Sequence, residues 1–197
     1  MPAIGGLTVV INCHGTDHTE YVQPTLPDSA NRRYRIVEAK DGANFSIDIK
    51  LNSTFVFLGD VLTCTVTIDG VESIKMCYDR QHISANTELH HSIDEIRDNV
   101  KFHSMLFTMA GGTREVSKIL VEIKHGNLGQ QLPGRHIDLH PEDIEMTGIS
   151  STVGIEPGIV RPAGDPRLVT RVGEEADDCY FEFECCTRAA LQARGVV

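Results

Sequence analysis

The sequence contains no tryptophan, and aromatic residues make up only 6% of its 197 residues. Valine, isoleucine and leucine must therefore supply most of the core of any folded domain. Hydrophobic residues at 41% and charged residues at 23% are ordinary values for a globular protein. The composition is thus compatible with a real core, and the length predicts one domain with room for an insertion.

Long hydrophobic runs and an excess of positive charge are also missing. No stretch approaches the length of a membrane span, and residues 1–8 lack both the basic start and the apolar run of a signal peptide. The formal net charge of −10 argues against nucleic-acid binding, because neutralising phosphates requires an excess of lysine and arginine. The one basic cluster, Arg32, Arg33 and Arg35, is typical of a solvated strand edge. We therefore expect neither a nucleic-acid partner nor a membrane partner.

The cysteines indicate a reducing compartment. The chain has six, and without a secretion signal free thiols are expected. This predicts a location in the cytoplasm or the nucleus. Cys185 and Cys186 are adjacent, so they cannot both point into the core from one strand.

Alternating apolar and polar residues predict a series of short strands. The candidate strands are residues 7–13, 34–39, 45–51, 61–68, 71–76, 102–108, 116–125 and 180–185. Asp69-Gly70 predicts a two-residue hairpin turn. Residues 14–33 are predicted to form a loop or an edge excursion. Residues 92–98 have the pattern of a helical turn, and residues 54–58 form a short apolar run that Gly59 ends.

The last residues change from a period of two to a helical period. Thr187 is expected to cap a short helix over residues 188–194, which Gly195 ends. We expect this helix to pack on a sheet edge and to bury Ala189, Leu191 and Val196.

Residues 126–178 differ from the rest of the chain. They hold five of the eight prolines, and ten acidic residues stand against four arginines. Because this stretch has no period, it is predicted to be a flexible acidic insertion. The fold class predicted is a mainly antiparallel β-sandwich formed by residues 1–125 and 179–197, with this long acidic connection and a short C-terminal α-helix.

Three segments then carry a family resemblance. They are residues 7–13 leading to Glu20-Tyr21, residues 35–47 with Arg-Ile-Val-Glu-Ala and Gly-Ala-Asn-Phe-Ser-Ile, and residues 181–195 with Phe-Glu-Phe and Thr-Arg-Ala-Ala-Leu-Gln-Ala-Arg-Gly. In this order they resemble an uncharacterised fungal domain family, whose members carry a strand similar to residues 119–123 at the same place. The resemblance implies an intracellular β-sandwich and no established activity.

Some members of that family carry a name that invokes a β-lactamase-type transpeptidase fold. A serine transpeptidase needs a Ser-x-x-Lys nucleophile and a later Lys-Thr-Gly strand. The segments that begin at Ser46 and Ser117 lack the lysine, and no Lys-Thr-Gly occurs. The chain therefore gives that name no support.

Catalytic and metal-binding candidates are few. Cys77, followed by His82 with an aspartate between them, is the best local nucleophile and base, and the Cys185-Cys186 pair is a second thiol candidate. His14 with His18, and His136 with His140, have a spacing that two metal ligands can use. Both histidine pairs lie in predicted loops without a second ligand pair, so ordinary exposed histidines are the simpler interpretation. No cofactor is predicted.

An acidic run, Glu174-Glu175-Ala176-Asp177-Asp178, is the candidate binding segment for a basic partner, although a solvated linker has the same pattern. The leading hypothesis is a non-catalytic protein-binding module. A thiol-dependent hydrolase or redox enzyme and an acidic chaperone for basic proteins are the alternatives. A homodimer through an uncovered sheet edge is compatible with the pattern, but no specific residue indicates it.

Overall fold

The computed structural model describes residues 2–13, 16–23, 25–80, 88–97, 102–105, 107, 116–131 and 167–197. Within these residues the chain forms two large β-sheets, and one core lies between them. A small sheet of two strands and one short α-helix complete the fold. The predicted mainly β sandwich with a short C-terminal helix is therefore confirmed. No described helix is long and apolar enough to cross a membrane.

The first sheet is antiparallel and has five strands. They are β1 (Ala3–Ile4), β2 (Leu7–Cys13), β3 (Thr16–Asp17), β6 (Phe45–Leu51) and β9 (Leu89–Ile93). The strand order is β1-β2-β6-β9, and β3 also pairs with β2.

The second sheet has seven strands. They are β4 (Glu20–Val22), β5 (Arg32–Glu38), β7 (Val61–Ile68), β8 (Val71–Asp79), β12 (Val116–Gln131), β13 (Arg167–Arg171) and β14 (Cys179–Cys186). The order is β4-β5-β14-β12-β7-β8, and β13 pairs with β12. A separate two-stranded antiparallel sheet consists of β10 (Glu95–Arg97) and β11 (Phe102–Ser104).

The core lies between the two sheets. The apolar residues of β2 and β6 that alternate toward the second sheet are buried together with those of β7, β12 and β14. Phe181 and Phe183 are fully buried there. Because strand side chains alternate between faces, each strand contributes every second residue to this core.

The C-terminal strand β14 is central to its sheet. It lies between β12, with which it is antiparallel, and β5, with which it is parallel. The second sheet is therefore mixed rather than wholly antiparallel. The terminal strand is thus integral to the sandwich.

The hairpin predicted at Asp69-Gly70 is present. β7 pairs with β8, and both turn residues have positive φ, at 50° and 87°. Two positive φ values define a type I′ turn, which matches the right-handed twist of the flanking strands.

Two sequence predictions are wrong at the level of elements. Residues 92–97, the described part of the predicted helical turn, are not helical: β9 continues to Ile93, and Glu95–Arg97 form β10. The stretch 126–178 is not an irregular connection at its ends, because residues 126–131 extend β12 and pair with β13. Residues 132–166 lie outside the described residues, so the flexible insertion stays a prediction there.

The helix α1 (Arg188–Ala193) begins as predicted. The side chain of Thr187 accepts the backbone N–H of Ala190 at 3.1 Å, and Gly195 adopts φ +67° after the last turn. However, α1 lies on the outer face of the second sheet rather than on its edge, because Leu191 packs against Ile36 and Cys186. Ala190, not Ala189, is the partly buried alanine.

This helix explains the adjacent cysteines. Cys185 points into the core between the sheets, and Cys186 points to the opposite face, where α1 covers it. Both thiols are buried, on two sides of one strand, as alternation requires.

Candidate functional site

Three elements lie together at one end of the sandwich. The connection from β6 to β7, residues 52–59, is called the apolar loop here. Residues 126–131 of β12 and strand β13 form the ribbon, and residues 173–178, between β13 and β14, form the acidic turn. All three meet around His125.

The apolar loop exposes large hydrophobic side chains. Val56 is 70% exposed and Leu58 is 47% exposed, whereas Phe55 and Phe57 pack against the core. The two phenylalanine rings meet edge to face with centroids 5.3 Å apart. Alternation along this short extended run thus places two residues inward and two outward. The outward pair is an apolar surface on a loop that is held from below.

Local hydrogen bonds shape the start of this loop. The side chain of Asn52 accepts the backbone N–H of Thr54 at 2.9 Å and its hydroxyl at 2.6 Å. The carbonyl of Asn52 also accepts the N–H of Phe55 at 3.1 Å. Asparagine is favoured in such turns because its side chain substitutes for a backbone acceptor.

Two glycines allow the loop to approach its neighbours closely. A Cβ on Gly6, whose φ is +90°, would lie 2.7 Å from the nitrogen of Phe55. A Cβ on Gly59 would collide with the carbonyl of Gly126 and lie 2.9 Å from Oδ1 of Asn127. Only glycine fits at these two positions, so backbone contact sets the position of the loop.

His125 connects the apolar loop to the acidic turn. Its ring is 5% exposed, stacks on Phe55 at 5.7 Å between centroids, and accepts the backbone N–H of Leu58 at Nδ1 over 3.2 Å. Its carbonyl accepts the N–H of Val172, at the start of the turn, at 3.0 Å. A ring nitrogen that accepts a hydrogen bond carries no proton, so this contact requires neutral His125.

The electrostatics agree with a neutral ring. Burial lowers the pKa of His125 below its ordinary value, and the carboxylates of Asp177 and Asp178 oppose this shift only in part. Through its hydrogen bonds with Leu58 and Val172, His125 contacts both the apolar loop and the residue that precedes the acidic turn.

The acidic turn is a compact structure. Gly173 adopts φ +88°, Glu175–Asp177 form one 3₁₀ turn, and Oδ2 of Asp177 accepts the N–H of Glu174 at 2.8 Å. The side chain of Asn31 donates to the carbonyl of Glu175 at 3.2 Å. The side chains of Glu174, Glu175 and Asp177 are exposed.

Asp178, the fourth candidate binding residue, lies beneath the turn instead of on its surface. Its side chain is 1% exposed, and Oδ2 accepts from Arg171 at 2.8 Å and from the hydroxyl of Tyr180 at 3.3 Å. Oδ1 is buried without a hydrogen-bond partner. Burial raises the pKa of this carboxyl, against the opposing effect of Arg171. Asp178 therefore positions the turn and does not present a carboxylate to a partner.

The basic cluster predicted at a solvated edge has structural contacts. Arg35 binds Asp28 at 2.8 Å, and the guanidinium of Arg32 lies 4.5 Å from the centroid of the Tyr180 ring. Asp28 also accepts the backbone N–H of Tyr34 at 3.1 Å. This contact occupies a free donor at the edge of β5, which discourages edge-to-edge pairing.

Several carboxylates elsewhere on the second sheet are paired. Glu38 contacts Arg188, Glu122 contacts Lys124, Glu182 contacts Lys118, and Glu184 contacts Arg194. By contrast, within the described part of the chain no cation pairs with the three exposed carboxylates of the acidic turn. Arg171, the arginine closest to the turn in sequence, is engaged with Asp178. The turn thus carries concentrated and uncompensated negative charge.

The thiol candidates lack the environment of a nucleophile. Cys77 is exposed on β8, yet partial burial raises the pKa of its thiol despite the opposing charge of Lys75. Burial also raises the pKa of Cys185 and of Cys186. A catalytic thiol needs the opposite shift. His82, the expected base, lies outside the described residues.

The metal-ligand candidates are largely outside the described residues as well, which is the case for His14, His136 and His140. The ring of His18 contacts the carbonyl oxygen of Glu38 through Nε2. Among the residues that the structure describes, no three histidine, cysteine or acidic side chains form a group that could hold a metal ion.

The central residues of this site were not singled out from the sequence. Val56 and Leu58 belong to the apolar run 54–58, and His125 ends the predicted strand 116–125. Four consecutive apolar residues between Asn52 and Gly59 were the available signal, since a loop-bounded run of this kind cannot bury both of its faces.

Comparison with known proteins identifies the chain's class. The fold is a two-sheet sandwich with a central C-terminal strand, and the model of a family described as a domain of unknown function, DUF7918, matches residues 6–109. This match covers more than half of the chain, which therefore belongs to that family, and the expected membership of an uncharacterised domain family is confirmed. The fungal origin that the resemblance implied stays a prediction. No curated protein and no solved structure matches the chain.

The matched region divides the site. Residues 6–109 include the apolar loop and Gly6, whereas His125 and the acidic turn follow the match. The loop is therefore part of the family domain.

Proposed function

We propose that this chain is a non-catalytic protein-binding module whose partner docks on the apolar loop. The observation that carries the proposal is the exposure of Val56 and Leu58 on a loop whose backbone is held in place. Large apolar side chains presented together on a rigid support are typical of interaction sites.

Rigid presentation matters for the energetics. Phe55 stacks on His125, Gly59 packs on the ribbon, and Asn52 closes the turn, so little ordering is left to occur on binding. Burying an exposed valine or leucine in a partner pocket contributes about 1–2 kcal/mol. Two such side chains therefore provide a substantial part of a specific interface.

The module is proposed to act inside the cell, in the cytoplasm or nucleus. All six cysteines are free, and all but Cys77 are buried. A reducing compartment maintains cysteines in this state.

The test compares partner recovery by two matched variants of the full chain. Val56→Asp places a charge in the docking surface, and Val22→Asp makes the same change on β4, where Val22 is 65% exposed. Each immobilised protein is incubated with native extract at low and moderate salt, and retained proteins are quantified by mass spectrometry.

We expect a stoichiometric partner that wild type and Val22→Asp retain and that Val56→Asp loses by at least tenfold. Equal recovery by Val56→Asp and wild type would overturn the proposal. Unchanged thermal unfolding midpoints for both variants establish that the fold is intact.

A further inference from the structure

The apolar loop does not end at a neutral surface, because His125 joins it to the acidic turn. Nδ1 of the His125 ring accepts a hydrogen bond from the backbone N–H of Leu58 in the loop. Its backbone carbonyl accepts a second one from the N–H of Val172, just before the turn. Val172 directly precedes Gly173, the first residue of the acidic turn, so these two hydrogen bonds bring the turn near the loop. Apolar and acidic groups thus share one end of the sandwich.

We infer that the partner bound at this end is a basic amphipathic segment, with apolar side chains that cover Val56 and Leu58 and with lysines or arginines that reach the acidic turn. This inference rests on the proposed function and names the chemistry of the partner. Its basis is charge complementarity beside an exposed apolar surface.

Three exposed carboxylates are concentrated in this one turn. Glu174, Glu175 and Asp177 are exposed within four positions, and in the described residues none of them meets a cation. Carboxylates across the neighbouring sheet face do meet one, as Glu122 does with Lys124. Like charges held this close repel one another, so an external cation relieves an existing repulsion as well as forming a new pair.

The turn is also preorganised for such a partner. Asp178 and Tyr180 support it from below, and Asp177 closes it through the N–H of Glu174. The Glu174 carboxylate accepts the backbone N–H of Asp177 in a capping box, and the amide oxygen of glutamine can accept the same bond. The carboxylate of Glu175 takes no part in these contacts. Glutamine at both positions therefore removes the charge and leaves an acceptor for the turn.

The first experiment uses labelled peptides as probes of the full chain. One peptide has lysines and leucines at amphipathic helical spacing, a second has lysine and serine at the same charge, and a third has glutamine and leucine in the same apolar pattern. Fluorescence anisotropy measures each dissociation constant at low and moderate salt.

The variants are a charge-matched pair. Glu174→Gln with Glu175→Gln changes the acidic turn, and Glu72→Gln with Glu95→Gln removes two exposed carboxylates from β8 and β10. Both double variants change the net charge equally. Non-specific attraction therefore affects them equally.

We expect the lysine–leucine peptide to bind wild type most tightly of the three. The turn variant should weaken it about three- to tenfold, the range expected for two exposed ion pairs, and the control variant less than twofold. Higher salt should reduce this difference. Absence of binding, equal weakening by both double variants, or equal affinity for the lysine–serine peptide would overturn the inference.

A second experiment separates this inference from the proposed function. The cellular partner recovered by wild type is tested against Val56→Asp and against the turn variant. Loss of the partner in both Val56→Asp and the turn variant supports the inference. Loss with Val56→Asp alone overturns the basic partner but retains the binding module, and retention by Val56→Asp overturns the module itself.

Discussion

Leu58 and His125 are joined by a hydrogen bond of 3.2 Å from the backbone N–H of Leu58 to Nδ1 of the ring. This one contact connects an exposed hydrophobic residue to a buried titratable group. The position of the docking surface therefore depends on the protonation state of His125. A measurable pH dependence follows.

Protonation of His125 should destabilise the protein. Burial places the pKa of the folded-state ring below its ordinary value of about 6.5, so the unfolded chain binds this proton more readily. The stabilisation is then fully present above about pH 6.5 and is lost as the pH falls through the folded-state pKa. The charges of Asp177 and Asp178 moderate the effect. Asp60, just after the loop, and Lys124 on β12 are the neighbouring charged residues in sequence.

The measurement is urea unfolding at pH 7.5 and pH 5 for wild type and His125→Asn. Between these pH values we expect the free energy of unfolding to fall by about 1 kcal/mol more for wild type than for the variant. His91→Asn, which removes an exposed histidine, should follow wild type. Identical pH profiles for wild type and His125→Asn would contradict the role of the ring.

Arg171 and Asp178 should respond unequally to substitution. Asp178 is buried, and burial already raises the pKa of its carboxyl, so Arg171→Met leaves a buried carboxylate without its cation. We expect this change to cost about 1–3 kcal/mol at pH 7, and Asp178→Asn to cost less than about 1 kcal/mol because it removes the buried charge.

Lower pH should narrow the difference in stability between Arg171→Met and Asp178→Asn. Because the pKa of folded Asp178 is raised, its ionisation opposes folding as the pH rises through that value. More of this carboxyl is protonated at pH 5 than at pH 7, so the cost of Arg171→Met should be smaller at pH 5. Denaturant titrations at both pH values test this. If Asp178→Asn lost more free energy of unfolding than Arg171→Met, the buried charge of Asp178 would not be the group that Arg171 stabilises.

Gly59→Ala should displace the apolar loop. Its Cβ would collide with the carbonyl of Gly126, which is backbone and cannot rotate away. We expect a loss of about 1–3 kcal/mol, as for other overpacked sites. Ser53→Ala, an exposed change in the same loop, should cost less than about 0.5 kcal/mol. A fully stable Gly59→Ala protein would show that the loop does not depend on this contact.

Thiol labelling should distinguish Cys77 from the other five cysteines. Cys77 is exposed, but burial raises the pKa of its thiol. We expect one thiol per native chain to react with iodoacetamide, slowly at pH 7 and faster above pH 9, and Cys77→Ser to abolish this reaction. Rapid labelling of Cys77 well below pH 8 would instead favour a thiol enzyme.

Local patterns predict the strands that alternate cleanly and the turns with specific chemistry. Asp69-Gly70 forms the expected hairpin because both residues tolerate positive φ. Thr187 and Gly195 bound the terminal helix for equally local reasons. Alternation also requires Cys185 and Cys186 to point to opposite faces, although the helix that covers Cys186 becomes visible only in the fold.

Elements that depend on distant partners were missed. Ile93 is in a strand because it pairs with Ile47, so residues 92–97 do not follow their helical pattern. Gly126 continues β12 because it pairs with Arg171, 45 positions later in the chain. The site was missed for the same reason: the acidic run was visible in the sequence, but its proximity to Val56 and Leu58 depends on His125.

Hydrogen exchange of the full chain, alone and in complex with its recovered partner, tests the central claim most directly. Binding at the shared apolar and acidic surface predicts new protection in residues 52–59 and 173–178, with little change in β4 and β8. Protection confined to β4, β8 or the outer face of α1, with residues 52–59 unchanged, would contradict the account.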